Sequence, residues 1–570
     1  MRESVTKVYE DYIWKGEMQE EAEYLYGKPP VYFGDLEKSI GGLREQYEAT
    51  GWFTEERREG LETALRRINR DLGALTPRVD RTISGLSDGA VEGAHQSIVF
   101  GGPCYVLNKA ATASRLADVS SKNEPLASYF FVADYDEVQP ELINTRTPLL
   151  GSSGNLLSIP VPKEYTHSPV SILPLPSYTW YEEAEESIRQ GYRPMVKDLD
   201  QRAQLAYEER LEQILALTRW AFLNSDTLGQ WAQRILARLF NVEGNLGIPI
   251  IPYSDPEIRE LAVFGMEFLL QRENREKFLR VQDEATDRIL ELGLEPGTGR
   301  RDQSYVPFLY ECPQKGCNRS RFELQYYASG SDVTLSGRCP SCNEYHTIEV
   351  SGDDPDLTDH ANCLSPRVDS RQFIVDTIVP TVCHVGGPGE TAYYAQVIPA
   401  AGALGIPFPQ FVKYPRLFFN TPWNEALANR LKKREQPVLH EKTLFRLLGK
   451  IGKARRNEEY DEMNSYVNAL GHHIKSQYDI LVEKLTDIEE RRDSASGDEG
   501  ENLQQLSFDI ELYLSWAYGR YAQEKSVQES SWSWIEWAIN AGIADIFGPY
   551  ERNYVEQIKN GATLWINFMI

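Results

Sequence analysis

Residues Gly93 to Lys109 read GAHQSIVFGGPCYVLNK. A short apolar run, Ile98-Val99-Phe100, meets a Gly-Gly-Pro turn, and an apolar, helix-compatible segment follows from Tyr105 to about Ala117. Paired glycines let the backbone take positive φ or approach a ligand closely, and Pro103 fixes φ just ahead of the helix. Such a helix start leaves N–H groups pointing outward, a place for a phosphate or carboxylate. His95 and Gln96 precede the apolar run, and Lys109 lies one to two turns into the helix. A second turn of the same kind, VGGPGE, occupies Val385–Glu390. Two turns of this kind point to α/β units, each leading from a strand into a helix.

The neighbouring segments fit that pattern. SYFFVAD, Ser128 to Asp134, is an uninterrupted apolar run of strand length, as a buried parallel strand requires. It ends in ADYDE, which puts Asp134 and Asp136 at the strand's carboxyl end, where open α/β sheets bind ligands. The strand leading into His95 is weak, with only Ala90 and Val91 apolar. IVPTVCHVGGPGETAYYAQV reads as strand, glycine turn and helix, followed by a short strand at Gln410–Lys413.

Organisation along the chain follows. Residues 1–80 read as a helical N-terminal cap, with Leu43, Tyr47, Leu61, Leu65, Ile68 and Leu72 at near-helical spacing. Residues 81–180 form the first half of the core, and 181–304 a helical connecting region. Within that region GIPIIPYSDPEIREL reads as a short strand, a turn and a helix start with Asp255 as N-cap and Pro256 at N1. An insert spans 305–352, the second half of the core 360–420, and a helical coiled-coil region 421–570. In the last of these, Tyr460, Val467, Ile474, Leu481 and Ile488 are seven apart, while Met463 and Leu470 start a second seam that Gln477 and Lys484 continue poorly.

The 570 residues are 41% apolar and 25% charged, an ordinary globular balance for two to four domains. A net charge of −25 disfavours broad electrostatic binding to nucleic acid or anionic membranes. The absence of a long apolar run and of an apolar leader leads to the expectation of a cytoplasmic protein.

Four of the seven cysteines fall in two pairs, Cys312-x4-Cys317 and Cys339-x2-Cys342, joined by the strand-like RFELQYYASGSDVTLSG. That is the layout of a zinc ribbon, two knuckles joined by a hairpin, giving tetrahedral thiolate ligation. His346 and His360 are alternative ligands, but four cysteines already fill a structural site and leave no position open for catalytic water. With four basic and five acidic residues between Val306 and Val350, the insert lacks the basic surface of a nucleic-acid-binding ribbon.

By chemistry alone, two glycine turns, the His95-Gln96 pair, Lys109 and two strand-end carboxylates suit a nucleotide or phosphorylated-sugar site. Each part also admits a structural reading: a packing turn, a core histidine, a surface lysine, a solvated strand end. No GxxxxGK[ST] and no clean GxGxxG is present.

Three stretches together resemble the cysteine-adding enzyme family of bacillithiol biosynthesis. That family's first motif reads roughly G-[HQ]-Q-x-G-L-F-x-G-P-L-Y-x-x-x-K, and His95, Gln96, Phe100, Gly102, Pro103, Tyr105 and Lys109 stand in its places. Asp134 and Asp136 match the two aspartates of a second motif, F-W-x-A-x-E-D-H-D-F, while Ala133 and Tyr135 replace its Glu and His. In the third, Ser365, Pro366, Arg371, Pro380, Gly386, Gly387, Pro388, Gly389, Glu390, Ala392, Tyr393 and Gln396 all match. IFGPYERNYVEQI is similar to the family's closing motif.

The resemblance implies a Rossmann-like, nucleotidyltransferase-type core with helical inserts and a coiled coil that forms a homodimer. It implies a ligase that joins the carboxyl of cysteine to the amine of an amino-sugar acceptor, glucosaminyl-malate. Amide formation needs an activated carboxyl, so an acyl-adenylate made from ATP is expected on chemical grounds. His95, Gln96, Asp134 and Asp136 are the expected catalytic set. Gly101, Gly102, Lys109, Arg371, Gly386, Gly387, Gly389, Glu390 and Tyr393 are expected to bind nucleotide or substrate, with Arg371 on a carboxylate such as malate. The altered second motif and the inserted ribbon leave a different amino-acid or amine ligase on the same core as one alternative, and a non-enzymatic zinc-ribbon scaffold as another.

Overall fold

A computed structural model describes residues 2–120, 126–152, 154–519 and 528–568. At its centre lie β1 (Ala90–Gln96), β2 (Ala127–Ala133), β3 (Ile250–Pro252), β4 (Thr381–Gly386) and β5 (Gln410–Lys413). They form one five-stranded parallel sheet in the order β5-β4-β1-β2-β3. The chain builds outward from β1 through β2 to β3, then returns to lay β4 and β5 on the other side. This is a Rossmann-like arrangement, and its strand order reverses between β1 and β4. The crevice outside the carboxyl ends at such a reversal is where ligands of open α/β sheets bind.

β2 is apolar and buried throughout, as a strand covered on both faces must be. β1 is polar in sequence, yet it holds the central position with every residue but Gln96 buried. Helix α1 (Tyr105–Ser120) follows the first glycine turn, and α2 (Pro388–Leu404) follows the second. The N-terminal helices Glu37–Thr50 and Glu55–Asp71 bury Leu43, Tyr47, Leu61, Leu65, Ile68 and Leu72. Buried Asn69 closes the free edge of β3: its amide donates to Ile250 O at 3.1 Å and its Oδ1 accepts from Ile250 N at 2.9 Å. Residues 181–304 are mainly helical and contribute β3. The next helix, Pro256–Leu270, is capped by Asp255, whose Oδ1 accepts from Glu257 N at 3.1 Å.

The insert consists of two small antiparallel sheets. One joins Gln325–Ser329, Asp332–Arg338 and Tyr345–Ser351; the other joins Phe308–Glu311, Arg321–Glu323 and the core segment Leu364–Pro366. Near the C-terminus, α3 (Tyr460–Arg492) and α4 (Asp498–Tyr518) form a helical hairpin that also packs on Lys442–Arg456. The strand Thr563–Asn567 runs parallel to Arg416–Asn420 and ties the end of the chain to the core. Among the described residues no helix is long and apolar enough to cross a membrane.

Candidate active site

A cleft of about 390 Å³ opens at the carboxyl ends of β1, β2 and β4. His95 and Gln96 enter it from the end of β1, Tyr105 and Lys109 from α1, and Tyr135 and Asp136 from the turn after β2. Arg371 comes from the short helix Arg371–Asp376; Gly387, Gly389, Glu390 and Tyr393 come from the start of α2. Residues of all three quoted motifs therefore meet in one place, although nearly 300 residues separate the first from the last.

The backbone N–H of Gln96 donates to His95 Nδ1 at 2.6 Å, which assigns the ring proton to Nε2. Nε2 lies 2.6 Å from the Tyr105 hydroxyl and donates to it, leaving the phenolic proton to be offered to the cleft. Burial, reinforced by Lys109, pushes the His95 pKa down to about 3, so the ring is a neutral dipole at ordinary pH. The Gln96 amide donates to Asp136 Oδ2 at 2.5 Å, and Arg321 Nη1 stands 3.3 Å from Oδ1.

Lys109 is buried and ion-paired. Its ammonium donates to Ala94 O at 3.0 Å and to both oxygens of Glu390 at 2.9 and 2.8 Å. Glu390 Oε2 also accepts from Gly387 N at 2.6 Å, so one carboxylate caps α2 and neutralises the lysine. Burial opposes ionisation of Glu390, but Lys109 and His384 outweigh it and hold the pKa far below the usual carboxylate range.

Behind the cleft the charges continue. The His384 ring bridges two carboxylates, Nδ1 at 2.9 Å from Glu92 Oε2 and Nε2 at 3.4 Å from Glu390 Oε1. Glu92 accepts in addition from Arg371 Nη1 at 2.9 Å and Gln372 Nε2 at 2.7 Å. Against its complete burial, His384 and Arg371 keep the Glu92 carboxyl at a pKa of about 2. Arg371, expected to hold a substrate carboxylate, thus commits one nitrogen to Glu92 and another to the Tyr394 hydroxyl at 2.8 Å while still lining the cleft.

Four expected residues lie elsewhere. Gly101 and Gly102, with φ of 82° and 93°, pack against the C-terminal helix Trp534–Ala541, and a Cβ at Gly101 would stand 2.8 Å from Ile235 Cγ2. The start of α1 meets protein rather than an open anion site: Cys104 N donates to Trp532 O at 2.9 Å. Asp134 is fully buried, accepting from Gln233 Nε2 at 2.7 Å and Ser254 N at 2.9 Å; burial lifts its pKa to about 6 despite the Ser254 bonds. It fastens β2 to the turn after β3. Gly386 sits behind the cleft wall, where a Cβ would meet the Phe411 ring at 2.5 Å. Sequence reasoning gave no site role to Glu92, His384, Tyr105, Tyr414 or Arg321. The available signal was an ionisable side chain inside a parallel strand, twice: Glu92 in β1 and His384 in β4.

The four cysteine sulfurs lie within 4.8 Å of one another, with Cys312 and Cys342 3.9 Å apart. Tetrahedral zinc with bonds of about 2.3 Å requires sulfurs about 3.8 Å apart, so the set fits that ion. Cys312, Cys317, Cys339 and Cys342 would hold it, and the metal would supply a structural cross-link between the knuckles. His346 Nε2, 3.3 Å from Cys312 Sγ, is placed to support a thiolate from outside the ligand set.

Residues 185–417 match the family model described as "Bacillithiol biosynthesis BshC, N-terminal Rossmann-like domain". Several proteins named "Putative cysteine ligase BshC" are similar. The one from Symbiobacterium thermophilum is 24% identical over 425 residues, which is 71% of this chain and 69% of that protein. One from Thermus thermophilus is 26% identical over 354 residues, 62% and 60% respectively. With the Solibacter usitatus protein, identity is 25% over 347 residues, and the match spans little more than half, 56%, of that relative. The motif residues gathered at the reversal of a parallel sheet, the matched Rossmann-like segment and the run of similar proteins agree, and over these stretches the chain is similar to the BshC proteins.

Proposed function

We propose that this protein is a cysteine ligase that forms an amide between the carboxyl of cysteine and the amine of an amino-sugar acceptor, glucosaminyl-malate. The observation that carries the reading is the convergence of His95, Gln96, Lys109, Asp136, Arg371 and Glu390 on one cleft at the sheet's reversal. In the first half-reaction, cysteine's carboxylate displaces pyrophosphate from ATP to give the acyl-adenylate. In the second, the acceptor nitrogen attacks the acyl carbon, the acyl C–O bond to phosphate breaks, and AMP leaves. Asp136 orients the acceptor ammonium and takes the proton the nitrogen must lose. Tyr105, held by neutral His95, offers its hydroxyl proton to the oxyanion or phosphate. Arg371 presents its remaining edge to an acceptor carboxylate, and the Gly387–Glu390 turn with Tyr393 forms the opposite wall.

The same proposal makes the enzyme cytoplasmic, in keeping with seven cysteines that are all unpaired. It also makes it a homodimer that uses the helical hairpin, on which Ile480 and Val482 remain exposed. Light scattering on the purified protein decides the latter.

The central test is turnover of cysteine and glucosaminyl-malate with and without ATP, read by mass spectrometry. ATP-dependent product at the mass of the amide is expected; no product from a folded, zinc-loaded sample rejects the acceptor. His95→Ala is expected to abolish product while leaving the far-ultraviolet spectrum unchanged, and full turnover by that variant would remove His95 from the mechanism.

A further inference from the structure

The ribbon is more than an appendage to the core. Its first knuckle runs Cys312 to Cys317, and four residues later the chain reaches Arg321, whose side chain extends from the ribbon to Asp136 of the cleft. Cys312 N donates to Ser320 O at 2.9 Å and Ser320 N donates to Cys317 O at 3.0 Å, so the residue before Arg321 is tied to both cysteines of that knuckle. The knuckle is anchored in turn. Glu311, adjacent to Cys312, is fully buried between Arg259 of the core at 2.8 Å and Arg319 of the knuckle at 2.8 Å.

Arg321 makes a fork of contacts. Nη1 stands 3.3 Å from Asp136 Oδ1, Nε donates to Ser365 Oγ at 3.0 Å, and Nη2 donates to Pro366 O at 2.9 Å. Its guanidinium lies over the Tyr135 ring, 5.1 Å from the centroid, and its backbone N–H donates to His167 O at 2.8 Å. The side chain is 9% exposed. Gln96 holds Oδ2 of Asp136 and Arg321 holds Oδ1, so the two together fix the plane of the carboxylate. A planar fork with three simultaneous acceptors on two different segments is a task for which lysine is a poor substitute.

We infer that Arg321 is a positioning residue of the cleft, and that metal binding by Cys312, Cys317, Cys339 and Cys342 acts on the cleft through it, by fixing the knuckle from which Arg321 reaches Asp136. The role assigned to Asp136 rests on the amide-forming reading above; the mechanical link from metal to Asp136 does not.

The test uses the full-length, zinc-loaded protein, with R321A, R321K and chelator-stripped wild type beside it, and zinc content measured for each. Hydrogen exchange is followed at Val138 and Val170, whose amides donate to Ser168 O at 3.0 Å and Asp136 O at 2.9 Å across the turn that carries Asp136. R321A is expected to keep its zinc and to exchange these amides about tenfold faster, the size of a lost charge-assisted hydrogen bond. R321K should fall between R321A and wild type. Stripping zinc should accelerate the same amides in wild type but add little in R321A, because the path runs through that side chain. In turnover, R321A should lower kcat about tenfold and also raise the KM for glucosaminyl-malate, since Asp136, which orients the ammonium and takes its proton, is misplaced rather than removed. Unchanged exchange in R321A, or equal acceleration by chelation in R321A and wild type, overturns the inference. If R321A does not fold, R321K is read by the same two criteria. If wild type shows no turnover, the amide-forming reading fails while the exchange measurements still decide the link.

Discussion

At the scale of single residues, the cleft is a set of charges that satisfy one another before any substrate arrives. Lys109 and Glu390 show this most clearly, since one carboxylate pairs the lysine, caps α2 and faces His384. Glu390→Gln keeps the shape and removes the charge, leaving a buried ammonium whose acceptors in this group, Ala94 O and one amide oxygen, are both neutral. The expected loss is about 3 kcal/mol of unfolding free energy, read from urea melts, because an uncompensated buried charge is the expensive half of a broken pair. The two glycine turns differ at this scale although they look alike in sequence. Gly101 has φ of 82° and no room for a Cβ, whereas nothing lies within 4 Å of a Cβ built at Gly389. Gly101→Ala should therefore destabilise by about 1–3 kcal/mol through backbone strain and collision. Gly389→Ala should leave the melting temperature nearly unchanged, and any activity it loses would then come from occupied space in the cleft.

At the scale of elements, the sequence was most legible where one physical demand acted alone. β2 is a buried parallel strand with an apolar sequence, β4 is buried and apolar on either side of His384, α1 and α2 follow glycine turns, and all were readable. The ribbon was readable because metal chemistry constrains cysteine spacing more tightly than packing constrains apolar residues. β1 was hard to read because its burial is electrostatic: Glu92 and His95 resemble surface residues until Arg371, His384 and Lys109, all distant in sequence, surround them. The part of the candidate site built on Glu92 and His384 was hidden for the same reason, and so was the structural role of Asp134. The helix α3 shows a subtler limit. Val467, Ile474, Leu481 and Ile488 are buried at the expected seven-residue step, but the second seam passes from Met463, Leu470 and Gln477 to Leu485 instead of Lys484. A straight helix drifts against a strict heptad, and an eight-residue step absorbs the drift. Gln477 is the cost of that path: it is 8% exposed in an apolar seam, and its Oε1 has no hydrogen-bond partner among the described residues. Gln477→Leu should therefore stabilise the protein by about 1 kcal/mol, seen as a higher urea midpoint with unchanged slope.

At the scale of the whole molecule, segments far apart in sequence are fastened by Glu536, a buried acid with no ion-pair partner among the described residues. Glu536, on the C-terminal helix, accepts from Tyr192 Oη at 2.6 Å and from Trp423 Nε1 at 3.1 Å, joining three regions of the chain. Burial outweighs those hydrogen bonds and raises its pKa to about 8. The sign follows from linkage. In the unfolded chain this carboxyl ionises near its ordinary value of 4.5, while in the folded protein it keeps its proton up to about 8. Between those limits the folded state binds more protons than the unfolded state, so stability contributed by Glu536 is complete below pH 4.5 and drains away as pH rises toward 8. Glu536→Gln reproduces the donor and acceptor of the protonated acid and cannot titrate. Its stability relative to wild type should accordingly climb from about pH 5 to about pH 8, by on the order of a few kcal/mol, and level off above that. Urea melts of both proteins across this range measure the difference directly. A constant offset would mean that Glu536 ionises in place, and that Tyr192 and Trp423 hold a carboxylate rather than an acid.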